Sequence, residues 1–188
     1  ELASIALDGR VATLATGMIR AFQSSPNGEY VMVQTVKQPF SYSVPVSQFA
    51  LRTEIRDARD VDAGKSVKVL SDLGLVEDEE FDADAVRRGP RQYTWRNDAP
   101  ATITWVQPIE GRKNGLGDQL FALSAPFDSE PQSLIRVDLR FQTVYWGRDD
   151  VAIVVEASRK TRRTLMWRLY PGESTRAPVK LFDRLSDY

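Results

Sequence analysis

The sequence predicts an all-β fold, a partial β-propeller of about three and a half four-stranded antiparallel blades. Three observations predict it. First, residues 24–36, SSPNGEYVMVQTV, join a Ser-Pro-Asn-Gly turn to a nearly unbroken β-forming run, and the same order of aromatics, polar turn and apolar run returns in YTWRNDAPATITWV (93–106) and VYWGRDDVAIVVE (144–156). Second, the turns at Gly28, Ala99 and Asp150 stand 71 and 51 residues apart, and each unit holds four short strand candidates in up-and-down order. Four strands per roughly 40–50 residues mark a propeller blade. Third, the polar turns LDGR, DVDAGK, PFDSEPQ and YPGESTRAP recur between third and fourth strands. A β-sandwich also has many short strands with regular turns. The unit-by-unit recurrence of aromatic, turn and apolar run favours the propeller.

In chain order, 2–9 and 10–16 read as a hairpin around Asp8-Gly9, the outer half of a preceding blade spanning 1–16. The next blade covers 17–75. Its strands are 18–23, the run ending at Val36, 52–59 and 66–73, with an insertion at 37–49 that carries Pro39, Pro45 and three aromatics. Asn27-Gly28 predicts a type I′ turn, with positive φ at both central residues. The run after it alternates too little for a half-solvated strand and is expected to be buried on both faces. An acidic connector at 76–90 follows, with a short helix expected up to Arg88 before Gly89-Pro90 ends it. A third blade at 91–140 has strands near 91–96, 101–107, 119–126 and 133–139, with a Gly-rich loop EGRKNGLGDQ in its middle. The last blade, 141–188, has strands near 141–147, 151–157, 164–170 and 178–183 and the middle loop SRKTRR. Three and a half blades leave strand edges and blade faces open, so this piece is expected to self-associate.

Composition narrows the chemistry. The 188 residues carry 25 basic and 26 acidic side chains, a net charge of −1, without the basic excess of a nucleic-acid binder. No cysteine means no disulfide framework and no thiol chemistry, and no histidine removes the commonest general base and neutral metal ligand. No apolar run approaches the roughly 20 residues of a membrane span. The chain opens at Glu1 and reads as a processed or excised piece, from which targeting information can have been cut away.

The isolated motifs are weak. Ala63-Gly64-Lys65-Ser66 contains a GKS, but Arg59 stands where a phosphate loop needs glycine, so it reads as a hairpin turn. Asp60, Asp62 and Gly64 lack calcium-loop spacing and a closing glutamate. Gly172-Glu173-Ser174 starts like a nucleophile elbow, yet Arg176 replaces the second glycine. No catalytic residue, metal set or cofactor motif is assigned. The acidic run Glu77, Asp78, Glu79 and Glu80 reads as a solvated loop, or else as an interface or amine-binding patch. The basic run Arg159, Lys160, Arg162 and Arg163 reads either as a charged hairpin tip or as a carboxylate site. In an up-and-down blade all loops between second and third strands emerge on one face. Here those loops are 37–49, 108–118 and 158–163, which bring Lys37, Arg112, Lys113 and the basic run together with only Glu110 and Asp118 as acids. The connector 74–90 opens on the same face. Long loops gathered on one face of a rigid scaffold suggest a binding face, and guanidinium groups there suit a carboxylate.

An ordered series of residues carries a family resemblance along nearly the whole chain. Lys37-Gln38-Pro39-Phe40-Ser41-Tyr42, Val44-Pro45 and Phe49 resemble the first-blade insertion of the glutamyl endopeptidase-like branch of the prolyl oligopeptidase family. Gly89-Pro90-Arg91, Trp95-Arg96, Asp98 to Thr102, Trp105-Val106, Ala125 to Asp128, Glu130-Pro131, Trp146-Gly147, Lys160 to Arg163 and Leu181 to Arg184 continue it in order. The resemblance implies a bipartite serine peptidase, in which a propeller limits access to a C-terminal α/β-hydrolase domain and contributes to substrate recognition. That domain would carry the serine, aspartate and histidine, none of which can be placed on this chain. The implied partners are this hydrolase domain and a peptide substrate, and the implied location is exported (periplasmic or extracellular) in bacteria or plastid in plants. Combined with the shared loop face, the resemblance makes Arg159, Lys160, Arg162 and Arg163 candidates for attracting an acidic side chain, with Phe40 and Tyr42 shaping the entrance. Two other readings stay open: a stand-alone propeller scaffold for protein or glycan partners, and basic loops that dock the hydrolase domain alone.

Overall fold

The computed structural model describes residues 1–59, 65–77, 83–111, 116–147, 151–173 and 175–186. They form an all-β chain of fourteen strands. Strands β1 (Leu2–Ile5) and β2 (Val11–Ala15) make a two-stranded antiparallel sheet. Three four-stranded meanders follow. The first comprises β3 (Met18–Ser24), β4 (Tyr30–Val36), β5 (Leu51–Asp57) and β6 (Ser66–Leu73). The second comprises β7 (Arg91–Trp95), β8 (Thr102–Pro108), β9 (Asp118–Ser124) and β10 (Gln132–Val137). The third comprises β11 (Arg140–Trp146), β12 (Ala152–Ser158), β13 (Arg163–Leu169) and β14 (Val179–Leu185). Every hydrogen-bonded neighbour in these sheets is also a sequence neighbour, and all pairs are antiparallel. This is the blade meander of a partial propeller, with no sheet closed on itself.

Sequence chemistry explains the elements. In β4, Tyr30, Val31, Met32 and Val33 are all buried, as a run without alternation requires. The turn before it differs from the expected type I′. Gly28 N–H donates to Ser25 O at 2.9 Å, and only Gly28 has positive φ, at 72°. Pro26 is the reason: its ring presets the negative φ of the turn's second position, so the left-handed step moves to Gly28. Ser25 then closes the loop, accepting Tyr30 N–H on Oγ at 3.1 Å. Among the described residues 83–90, no helix precedes Arg88, and positions 78–82 of the expected helical stretch lie outside the described residues. Residues 83–90 form turns and bends, and the one helical element among the described residues is a 3₁₀ turn at Val46–Gln48. No helix among them is long and apolar enough to cross a membrane.

The chain divides into two compact units. The first is Glu1–Glu79 with the short pieces Pro100–Thr102 and Ser124–Asp128. Its core joins Leu14 and Ala15 of the opening hairpin to Val31 and Val33 of β4. A buried Glu54 reinforces it, accepting from Arg56 Nε at 2.9 Å and Ser66 Oγ at 2.8 Å, while Arg56 Nη1 donates to Leu14 O at 2.8 Å. Ser66 is thereby part of the β5–β6 hairpin rather than of a phosphate loop. Tyr30 meets Phe127 edge to face, with ring centroids 5.0 Å apart. The second unit is Glu80–Ala99, Ile103–Leu123 and Ser129–Tyr188. Its core packs Val106, Leu120, Ile135 and Val137 of one meander against Phe141, Ala152, Val154 and Leu169 of the next. This is face-to-face blade packing, and each fully buried aliphatic side chain contributes about 1.5–3 kcal/mol.

Candidate functional site

The second unit gathers its loops at one end of the sheets around three buried carboxylates. Asp118, at the start of β9 and wholly buried, accepts from Arg91 Nη2 at 2.5 Å, from Arg140 Nη1 at 3.2 Å and from Phe141 N–H at 2.8 Å. Glu156 on β12 accepts from Leu139 N–H at 2.5 Å and Trp167 Nε1 at 2.6 Å. Asp84, 6 % exposed, accepts from Ser158 Oγ at 2.7 Å and from the N–H groups of Arg159 and Lys160 at 2.7 and 3.3 Å. Arg140 Nε donates to Asp84 O at 2.8 Å, and Arg140 Nη1 donates to Gly117 O at 3.2 Å. Connector, β8–β9 loop and basic turn therefore converge on Asp84 and Arg140. Burial alone would raise the Asp84 carboxyl. The Ser158 hydroxyl, the two backbone N–H groups and the Arg140 charge outweigh it and hold Asp84 below the usual carboxylate range. Multiply hydrogen-bonded carboxylates of this kind are structural anchors.

Sequence reasoning missed Asp84, which sits in an acidic stretch that reads as solvent-exposed. Its partners lie 74–76 residues away, so no local pattern announces them. Asp118 appears in the sequence as a stray acid of the loop face, whereas here it is the buried counter-ion of two arginines.

The predicted site residues occupy distinct settings. Arg159, Lys160, Arg162 and Arg163 are all exposed on the β12–β13 turn, which Thr161 N–H closes onto Ser158 Oγ at 3.1 Å. Arg162 has φ of 55°, and its carbonyl accepts Ser186 N–H at 2.9 Å. Arg163 is committed within the blade. Its Nε and Nη2 bind Asp183 Oδ1 and Oδ2 at 2.8 and 2.7 Å, and Lys180 adds a third contact at 3.1 Å. The Arg163 guanidinium, then the Lys180 ammonium, hold the Asp183 carboxyl well below its ordinary range. Phe40 and Tyr42 belong to the first unit's 37–49 loop. Phe40 stacks on Phe49 at 6.0 Å, and Tyr42 is fully exposed. In that unit too the connector meets the long loop, through Val76 N–H to Gln48 O at 3.0 Å and Ser41 Oγ to Glu77 Oε1 at 2.9 Å. Lys37 is paired with Asp72.

Arg112 and Lys113, the acidic positions 78–80, the turn residues Asp60, Asp62 and Gly64, and Ser174 lie outside the described residues. Glu173 N–H donates to Tyr170 O at 2.9 Å in an ordinary turn. No cluster of three or more metal-ligating side chains occurs among the described residues.

Fold and site together define a propeller segment with a loop-built, positively biased end and anchoring rather than reactive carboxylates. Comparison with known proteins places its kinship. Over the whole chain it is 31 % identical to proteins described as a probable chloroplastic glutamyl endopeptidase in Oryza sativa subsp. japonica and in Arabidopsis thaliana. The chain spans only 20 % of the length of each of these relatives. No family model matches it. The resemblance read from the ordered residues thus holds from end to end.

Proposed function

We propose that this chain is a non-catalytic propeller segment of a serine peptidase of the prolyl oligopeptidase family, which gates access to a hydrolase domain carried elsewhere in the same protein and favours acidic, glutamate-containing substrates. The observation that carries the reading is the full-length similarity to glutamyl endopeptidases about five times longer, in a chain that has no histidine to complete a triad. The basic turn supports the substrate class. Arg159, Lys160 and Arg162 stand exposed on a turn fixed by Asp84, with Arg163 held by Asp183, and an exposed guanidinium suits a carboxylate. The relatives' chloroplastic description supports a plastid location for a plant protein, and an exported one in bacteria belongs to the same reading.

The test is steady-state kinetics on the full-length protein. It should hydrolyse peptides after glutamate and lose that activity to a serine-directed inhibitor. Reversing charge at Arg159 and Arg162 should raise KM for the glutamate peptide about tenfold, roughly 1.4 kcal/mol, with kcat little changed. A full-length protein without hydrolytic activity sinks the peptidase reading in favour of a scaffold that binds protein or glycan. Unchanged KM in an active enzyme removes the basic turn from substrate contact.

A further inference from the structure

A strand at the edge of a sheet presents a row of unpaired N–H and C=O groups, on which an extended peptide or another chain can add as a further strand. Among the described residues, the three four-stranded sheets have six such edges: β3 and β6, β7 and β10, β11 and β14. Each of the six carries an extra residue that breaks its ladder. The extra residues are Arg20 in β3, Val67 and Leu70 in β6, Leu134 in β10, Gln142 in β11 and Leu181 in β14. In β7 the break falls between Arg91 and Thr94, where Gln92 has φ of 55° and leaves the extended conformation. In every case the extra residue stands on the edge strand and not on its inner neighbour. The interior ladders β4–β5 and β12–β13 run through seven pairs each without a shift. The bulges therefore follow position in the sheet.

They leave little for a partner strand to pair with. The longest unbroken stretches on these edges are 21–24, 143–146 and 182–185, four residues each, against seven in the interior ladders. A bulge also bends and twists its strand away from a straight partner. At β11 the extra residue takes up backbone capacity as well, since Gln142 Nε2 donates to Arg140 O, a carbonyl of the edge strand itself, at 3.1 Å. The bulge side chains differ by edge. On first strands they are polar and exposed, at Arg20, Gln92 and Gln142. On fourth strands they are the apolar Val67, Leu70, Leu134 and Leu181. Leu134 shows how such a side chain is used, because it packs against the core that joins the second and third meanders.

We infer that the blade edges of this protein are closed to strand addition, so that peptides and partner chains are held by side-chain contact and never by backbone pairing with a blade. Without that closure, six edges would each template an extended chain. The closure holds equally for a peptidase segment and for a binding scaffold, and so goes beyond the proposed function.

The experiment is amide hydrogen exchange of the full-length protein, with and without a millimolar peptide copying residues 163–169, the sequence with which β14 already pairs. In the wild type the peptide is expected to leave exchange at 18–24, 140–146 and 179–185 unchanged. Deleting Leu181 makes the β13–β14 ladder regular, and the same peptide should then slow exchange over 179–185 about tenfold. Leu181 is exposed, so its removal leaves the core side chains in place. Peptide-induced protection at any of these edges in the wild type overturns the inference. So does a deletion variant that keeps the protection of β12 and β13 yet gains none from the peptide. If the deletion costs the fold, seen as lost protection in β12, the wild-type result decides alone, and unchanged exchange there supports closure.

Discussion

At the scale of single residues, the buried carboxylates decide how the loop end behaves. Asp118 neutralises Arg91 and Arg140 together and also caps Phe141 N–H. Asp118→Asn leaves two largely buried guanidinium groups without their counter-ion, and a cost of about 3–5 kcal/mol is expected in denaturant unfolding. Asp84 sets a pH dependence. Its folded-state pKa lies below its ordinary 3.8, so it binds protons less readily when folded than when unfolded. Its contribution to stability is fully present above about pH 5 and is lost as pH falls through 3.8 toward the lowered folded value. Acid unfolding of Asp84→Asn should be flatter than wild type across that range, and equal slopes would show that the anchor does not couple to folding. Phe127 carries a different stress. It is 1 % exposed with φ of 69°, a left-handed backbone that bulky side chains avoid, and its ring against Tyr30 is what holds it there. Phe127→Ala removes that ring and should cost about 3–5 kcal/mol.

At the scale of elements, sequence and structure agree where a pattern is local and part where it is not. Fourteen strands and their meander order were legible because each strand is a short β-forming run between turn residues. β4 could be read as doubly buried from its lack of alternation, and its first four residues are buried. The turn ahead of β4 was misread because Asn-Gly outweighed Pro26, although proline's fixed φ is the stronger constraint. The basic turn was legible as a charge run. That Arg163 is bound by Asp183, or that Asp84 reaches across to Ser158, was not, because both depend on pairing between segments 20 and 74 residues apart. β14 shows what the open array leaves uncovered. All seven residues are exposed, with Val179, Leu181, Phe182 and Leu185 between 40 and 58 %. The ladder shifts register between Met166 and Trp167, which leaves Leu181 as the extra residue of a bulge. A bulge twists an edge and hinders strand addition, but it does not hide apolar side chains. Residues 1–188 alone should therefore associate with rising concentration in sedimentation velocity, and Leu181→Lys should weaken that association. A chain that stays monomeric at high concentration would mean the exposed strand is no contact surface.

At the scale of the whole molecule, charge separates a local effect from a global one. On the proposed reading, these 188 residues with a net charge of −1 give no long-range pull on an acidic peptide, so any attraction from this segment would be local to the basic turn. Asp183 offsets Arg163 there, which leaves the field to its neighbours. Fields from exposed groups are screened over about 8 Å at physiological ionic strength and about 30 Å at 0.01 M salt. In the full-length protein, kcat/KM for a glutamate peptide should fall several-fold between these two conditions, while the glutamine analogue changes little. The Arg159→Glu, Arg162→Glu variant should remove the difference, because the local field then opposes the substrate. The same slope for both peptides in the wild type would show that the turn does not steer substrate.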